Sequence, residues 1–242
     1  MKRVQCLRAI LTAVALIRGS LVWAQGGPPF VTDDPATPGD GHFEINIAAS
    51  ASQQRDSRTL VGPDVDLNYG WGERIQLKLD MNLTTEQGFG QRTQMGVGTS
   101  ALGVKWRMLD GEQGGVALAT YPQLLLRDPG DPHKAFFLPL EVATSIGDYQ
   151  WDVEAGRTFV EHNPDEWALG LIIARACGFG FECAAEIHET LTGGEPVSLL
   201  NFGFRHPLNK TLTLLAAAGR EFGPRSEDPQ VFIFFLGIQV VT

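Results

Sequence analysis

Fourteen side chains hold most of the chemistry this chain offers: Glu44, Asn46, Asp64, Asp66, Lys78, Asp80, Lys105, Arg107, Glu141, Asp152, Glu154, Glu186, His188 and Arg205. They are scattered along the chain, yet each occupies the polar side of a segment that alternates apolar and polar residues. Ionised groups converging on one hydrated space create a field that sorts solutes by charge. By parity the basic groups Lys78, Lys105 and Arg107 belong to the third and fourth such segments, and the acidic groups Glu141, Asp152 and Glu154 to the sixth and seventh. That segregation predicts a transverse field across an enclosed interior.

Nucleophilic catalysis is the competing chemistry. His188, Ser198 and Asn201 could be combined into a triad on neighbouring segments, but no nucleophile motif surrounds Ser198, and alternation turns it away from His188. An enzyme is therefore not expected. No His-Glu-x-x-His or paired Cys-x-x-Cys is present, so neither a metal nor another cofactor is expected.

The elements that must position these groups are strands. Ile75, Leu77, Leu79, Met81 and Leu83 alternate strictly with Gln76, Lys78, Asp80, Asn82 and Thr84, and Leu67 and Tyr69 alternate with Asp66 and Asn68 before them. Matching the two polar faces demands a hairpin loop of odd length, and Gly70-Trp71-Gly72 is the expected one. The pattern recurs to the last residue and yields twelve strands. The connections after the second, fourth, sixth, eighth and tenth strands are tight, and most of the others are longer and more polar, such as Glu86–Gln94 and Phe222–Pro229. Tyr69, Trp71, Trp106, Tyr149 and Trp151 lie near the short turns, where an interfacial aromatic girdle would place them.

These features predict an all-β fold, a transmembrane antiparallel up-and-down β-barrel of about 12 strands. A soluble sandwich is the alternative, but it would need a second layer over the apolar faces, and the repeats supply none. Residues 1–24 read as a cleaved signal peptide: Lys2, Arg3 and Arg8, an apolar stretch from Ala9 to Ile17, and a small-residue site at Val22-Trp23-Ala24. Its loss removes Lys2, Arg3, Arg8 and Arg18 and takes the formal charge from −9 to −13, so nucleic acid is not an expected partner. Residues 25–41, rich in Gly, Pro and Asp, read as an extended periplasmic lead-in, and residues 42–242 as the barrel.

The lead-in Pro29-Phe30-Val31-Thr32-Asp33-Asp34-Pro35, then Pro38-Gly39 and Phe43-Glu44-Ile45-Asn46, resembles the start of a bacterial family of outer-membrane transporters, the meta-pathway phenol-degradation family. Asp66-Leu67-Asn68-Tyr69-Gly70, Tyr121-Pro122-Gln123, Leu138-Pro139-Leu140-Glu141 and Leu236-Gly237-Ile238 extend the resemblance over nearly the whole mature chain. It implies a Gram-negative outer-membrane barrel that passes small molecules, hydrophobic or aromatic ones among them. The partners implied are outer-membrane lipid, small-molecule solutes and the barrel-assembly machinery. Many such barrels end in an aromatic residue read by that machinery, whereas this sequence ends Val240-Val241-Thr242. A structural or adhesive barrel without transport is the alternative function, separable by ion conductance.

Several residues carry narrower expectations. Cys177 and Cys183 share parity and can face each other across a five-residue turn, 178–182, as a disulfide in an oxidising compartment. Gly147-Asp148 suits a type II′ turn, which pairs Glu141 with Glu154. Such a like-charged pair requires a shared proton, a cation, or Arg107 or Arg205 reaching across. Pro122 and Pro139, on adjacent strands, mark a kink, a lateral opening or a bulge. Arg157 and Arg175 fall on the lipid-facing parity, so either bulges near Gly156 and Gly170 shift the register or the two side chains snorkel to the interfaces.

Overall fold

The computed structural model describes residues 27–111, 115–126, 134–224 and 229–242. The expected signal peptide, part of the 110–113 turn and part of the 222–229 loop lie outside the described residues.

Alternation dominates the local structure. The described strands are β1 (Phe43–Gln53), β2 (Ser57–Trp71), β3 (Ile75–Gly88), β4 (Gln94–Val97 and Ser100–Asp110), β5 (Ala117–Thr120 and Gln123–Leu126) and β6 (Lys134–Ile146). They continue as β7 (Tyr149–Val160), β8 (Glu166–Gly178), β9 (Phe181–Thr192), β10 (Glu195–Pro207), β11 (Leu212–Phe222) and β12 (Phe232–Val241). Each pairs antiparallel with its sequence neighbours, and β1 closes on β12 from Glu44↔Val241 to Gln53↔Phe232. Closure satisfies the strand edges, the condition a strand must meet to lie in hydrocarbon.

The outside of this closed sheet is apolar. Ile47, Leu77, Met81, Trp106, Leu140, Trp167, Leu169, Ile187 and Phe202 all point outward and are exposed. Soluble monomers rarely show apolar patches beyond a few hundred Å², so a continuous apolar wall requires an apolar medium. The inside is the reverse, with Asn46, Asp66, Lys105, Glu141, Asp152 and Glu186 buried.

Local sequence explains the departures from regular pairing. Gly62-Pro63 interrupts the register on both sides of β2, so Leu60 points outward while Asp64 points inward. Tyr121-Pro122 divides β5 because Pro122 has no N–H for the ladder, although its carbonyl accepts from the Val104 amide. Pro139 stays within a continuous β6, opposite Gly156.

Three expected turns need correction. The β2–β3 loop has three residues, but they are Gly72, Glu73 and Arg74, because Trp71 pairs with Ile75 and Gly72 takes the positive φ of 67°. Gly70 remains in the strand for another reason: a Cβ there would lie 1.8 Å from the Gly39 carbonyl oxygen, so the lead-in crosses it. The β8–β9 turn is Phe179-Gly180, and Cys177 sits in a bulge between Ala176 and Gly178 instead of flanking a five-residue loop. The β9–β10 connection, expected among the longer ones, is the two-residue turn Gly193-Gly194.

Candidate functional site

The residues that build the interior site come from the inward parity of the strands and from the lead-in. Described from Gly27 onward, the lead-in runs along the inside of the barrel before entering β1, whereas the sequence reads as an extended periplasmic segment. Glu186 on β9 receives the amides of Val31 and Thr32 at 2.9 and 2.7 Å. Glu154 on β7 receives the Asp33 amide at 3.4 Å. Arg205 on β10 donates to the carbonyls of Gly27 and Pro28 at 2.9 and 3.1 Å, and its guanidinium lies 5.5 Å from the Phe30 ring centre.

The central tie is Lys105 on β4. Its Nζ lies 3.1 Å from Asp33 Oδ1 and 3.2 Å from Glu141 Oε2, donates to the Asp34 carbonyl, and sits 4.7 Å from the Tyr121 ring centre. Lys105 is 2% exposed and Glu141 fully buried, so removing the lysine would strip Glu141 of its ion-pair partner, whereas removing Glu141 would leave Lys105 with Asp33. Apolar packing secures the start of the segment. Phe30 is buried with Ile172, Ala174, Ala184 and Ala217.

Glycine makes the room. A Cβ on Gly170 would lie 2.1 Å from Thr32 Oγ1, and one on Gly203 would lie 2.9 Å from the Phe30 ring. Gly170 is an inward position where a barrel without a lead-in could carry a side chain, whereas a Cβ on Gly203 would also lie 2.6 Å from the Ala216 carbonyl oxygen of the neighbouring strand.

The expected like-charged pair forms: Glu141 faces Glu154 and Asp152 faces Ala143 across the Gly147-Asp148 turn. Neither Arg107 nor Arg205 reaches it. Lys105 meets Glu141, and the Asp33 amide meets Glu154. Arg107 instead donates to the Glu73 carbonyl at the β2–β3 turn, and Arg205 pairs with Glu182 at 3.2 Å. The basic groups stand on β3 and β4 and the acids on β6 and β7, as expected, but their charges do not remain apart. Lys105 bridges to the acid of β6, and Lys78 pairs with Asp66 on β2 at 3.4 Å, so each lysine is neutralised locally.

The lead-in leaves a cavity of about 360 Å³ between itself and the wall formed by β1–β3 and β10–β12. Glu44, Asn46, Asp64, Asp66, Lys78 and Asp80 line it. Asp152 and His188 are buried inward positions away from this lining. The triad does not assemble, since His188 pairs with Leu199 and faces inward while the Ser198 hydroxyl donates to Glu189 on the exposed face.

The two outward arginines keep their parity. Pairing between β7 and β8 is regular from Glu166↔Thr158 to Ala174↔Gln150, so no bulge flips them. Arg157 pairs with Asp165 and lies over Phe159 and Trp167 at 4.8 and 5.1 Å, while Arg175 donates to the Tyr149 hydroxyl at 2.9 Å. Both charges are held by polar partners within an aromatic setting, as snorkelling requires. Cys177 and Cys183 are disulfide-bonded, with Cα atoms 5.9 Å apart.

Sequence reasoning missed Phe30, Thr32, Asp33, Asp34 and Tyr121 as interior groups. The available signal was the set of glycines at inward positions inside strands, Gly70, Gly170 and Gly203, each now opposite a lead-in residue.

No family model matches the chain, and no curated protein matches it. Solved structures do. An outer-membrane channel from Pseudomonas putida F1 superposes with a TM-score of 0.71 at 12% identity, covering 86% of this chain and 98% of that one. The NanC porin gives 0.61 at 5% identity, covering 81% and 98%. The β domain of the Bordetella autotransporter BrkA gives 0.54 at 17%, covering 84% and 100%. At these identities the likeness establishes the fold, a closed twelve-stranded antiparallel barrel.

Proposed function

We propose that the chain is an outer-membrane channel for small solutes, narrowed by its own N-terminal lead-in. The observation that carries this reading is the inverted barrel with an incompletely filled interior. Its outside is apolar, its inside is charged, and a cavity of about 360 Å³ remains beside the lead-in. A barrel of twelve strands lies between side-chain-filled eight-stranded barrels and open sixteen-stranded pores, which suits small cargo. The channel and porin among the structural neighbours support the same reading, and the family resemblance adds hydrophobic or aromatic molecules as cargo. Export through a cleaved signal peptide and folding by the assembly machinery belong to this proposal.

A second reading is a closed, structural barrel. It is favoured by the depth of the lead-in's anchoring, with Phe30 in an apolar cluster and Lys105 tied to three oxygens. Planar-bilayer recording of the refolded mature protein separates the two. Discrete conductance steps are expected, and a folded protein that inserts without conducting would establish the structural reading. Unheated samples should migrate differently from boiled ones on gels, which reports folding independently of conduction.

A further inference from the structure

The cavity beside the lead-in has two unlike walls. One, from β1–β3, carries Asn46, Asp64, Asp66 and Asp80. The other, from β10–β12, carries Leu199, Ala217, Ile233 and Phe235, with Asn201 among them donating to Glu186. Phe235 is continuous with the apolar cluster around Phe30.

The polar wall is short of donors. Asp64 and Asp80 each have a buried carboxylate oxygen that accepts no hydrogen bond, and Asp66 Oδ1 meets Lys78 at 3.4 Å. Asn46 lines the cavity, is 2% exposed, and donates its amide hydrogens to Glu44 and Asp66 while its own carbonyl oxygen accepts none. The two lysines on the cavity are committed, Lys78 to Asp66 and Lys105 to Asp33 and Glu141. Lys78 is thus set against three carboxylates, Asp64, Asp66 and Asp80, so the wall keeps an excess of negative charge and favours a positively charged, donor-rich occupant.

A simple metal ion is a poor match. Among the described residues no three His, Cys, Asp or Glu side chains are arranged to hold one. The cavity is also far larger than an ion, lies within the range of small-molecule sites, and is apolar across from its acids.

We infer that the cavity binds small organic cations, an ammonium group on Asp64 and Asp80 with an apolar body against Phe235 and Ile233. This deepens the channel reading by naming a class of solute, and it rests on that reading only for the claim that the bound cation is in transit. Binding itself is a property of the folded barrel.

The test uses the refolded mature chain in detergent and three probes of nearly equal shape: benzylammonium, benzyl alcohol and benzoate. Isothermal titration should show saturable benzylammonium binding about tenfold tighter than benzyl alcohol, the ratio produced by about 1.4 kcal/mol, with benzoate weakest. Asp64→Asn with Asp80→Asn should erase the preference for the ammonium, and Phe235→Ala should weaken benzylammonium and benzyl alcohol alike. Equal binding of the three probes by the wild-type protein, or none, would overturn the inference without recourse to any variant. So would a folded double variant that keeps the ammonium preference. Conductance measured on the same preparation keeps the two proposals apart: a conducting protein indifferent to benzylammonium sinks this inference alone, and a binding, non-conducting one sinks the channel alone.

Discussion

Replacing Lys105 by methionine keeps most of the side-chain volume and removes the charge on which the docked lead-in depends. In the wild type, Nζ serves Asp33, Glu141 and the Asp34 carbonyl at once and is 2% exposed. Without it, fully buried Glu141 loses its ion-pair partner while still facing Glu154. Removing one partner of a buried ion pair costs about 3–5 kcal/mol. The barrel can relieve this cost by releasing the lead-in, which admits water to both glutamates, because the strand ladder does not depend on Lys105. A shift of that size corresponds to roughly two to four orders of magnitude in the docking equilibrium. Glu186 and Arg205 still hold the segment, so the expected result is a rise in open probability of about tenfold or more, not permanent opening. Single-channel recording measures it, and the heat-dependent gel shift confirms folding. Adding Glu141→Gln should return open probability toward wild type, since it removes the charge left uncompensated, and that rescue isolates the pair. Open times and conductance unchanged in a folded Lys105→Met protein would refute the assignment of Lys105 as the anchor.

The remaining predictions concern other parts of the interior and the turn that carries the disulfide. Gly170→Val should displace Thr32, because the added Cβ would lie 2.1 Å from its hydroxyl oxygen; larger conductance with an intact gel shift is expected, and wild-type currents would argue against a docked lead-in. The unreduced mature protein should weigh two hydrogens less than the reduced one, from the bond between Cys177 and Cys183, and alkylatable thiols without reductant would contradict it. Glu141→Gln with Glu154→Gln should reduce cation preference in reversal-potential measurements, since both carboxylates face the interior opposite each other; an unchanged reversal potential in a conducting double variant would show that selectivity is set elsewhere.

The wall of the barrel was legible because its two faces meet opposite solvents. Period-two alternation assigns Ile47 outward and Asn46 inward before any fold is chosen, and closure then leaves little freedom. The Glu141↔Glu154 register followed from one glycine, Gly147, which takes the positive φ of 62° that its turn demands. The β2–β3 turn was misplaced for an equally physical reason. Gly70 and Gly72 look alike in sequence, but one is a glycine of conformation and the other a glycine of clearance. Distinguishing them requires knowing that a second chain segment passes close to Gly70.

That segment has no periodicity, so alternation could not place it. It contributes hydrogen bonds through its backbone: Glu186, Glu154 and Arg205 contact amides or carbonyls of Gly27, Pro28, Val31, Thr32 and Asp33, groups every sequence possesses. Its complement is written instead in the wall. Acids at inward positions are ordinary in a hydrated barrel, and inward glycines are ordinary at a sharply bent strand. Acids on β7 and β9 flanking an inward glycine on the intervening strand are a different pattern. Glu154, Gly170 and His188 share one level across β7, β8 and β9, with Glu186 one inward step away, and Thr32 occupies the space above Gly170. A groove bordered by acceptors fits a backbone better than it fits bulk water, because successive amides can donate into it at fixed spacing. The same arrangement makes the lead-in removable in principle. Over residues 27–34 its hold on the wall consists of charge-assisted hydrogen bonds, one apolar anchor at Phe30 and one shared lysine, each of which can be altered without touching the ladder that closes the barrel.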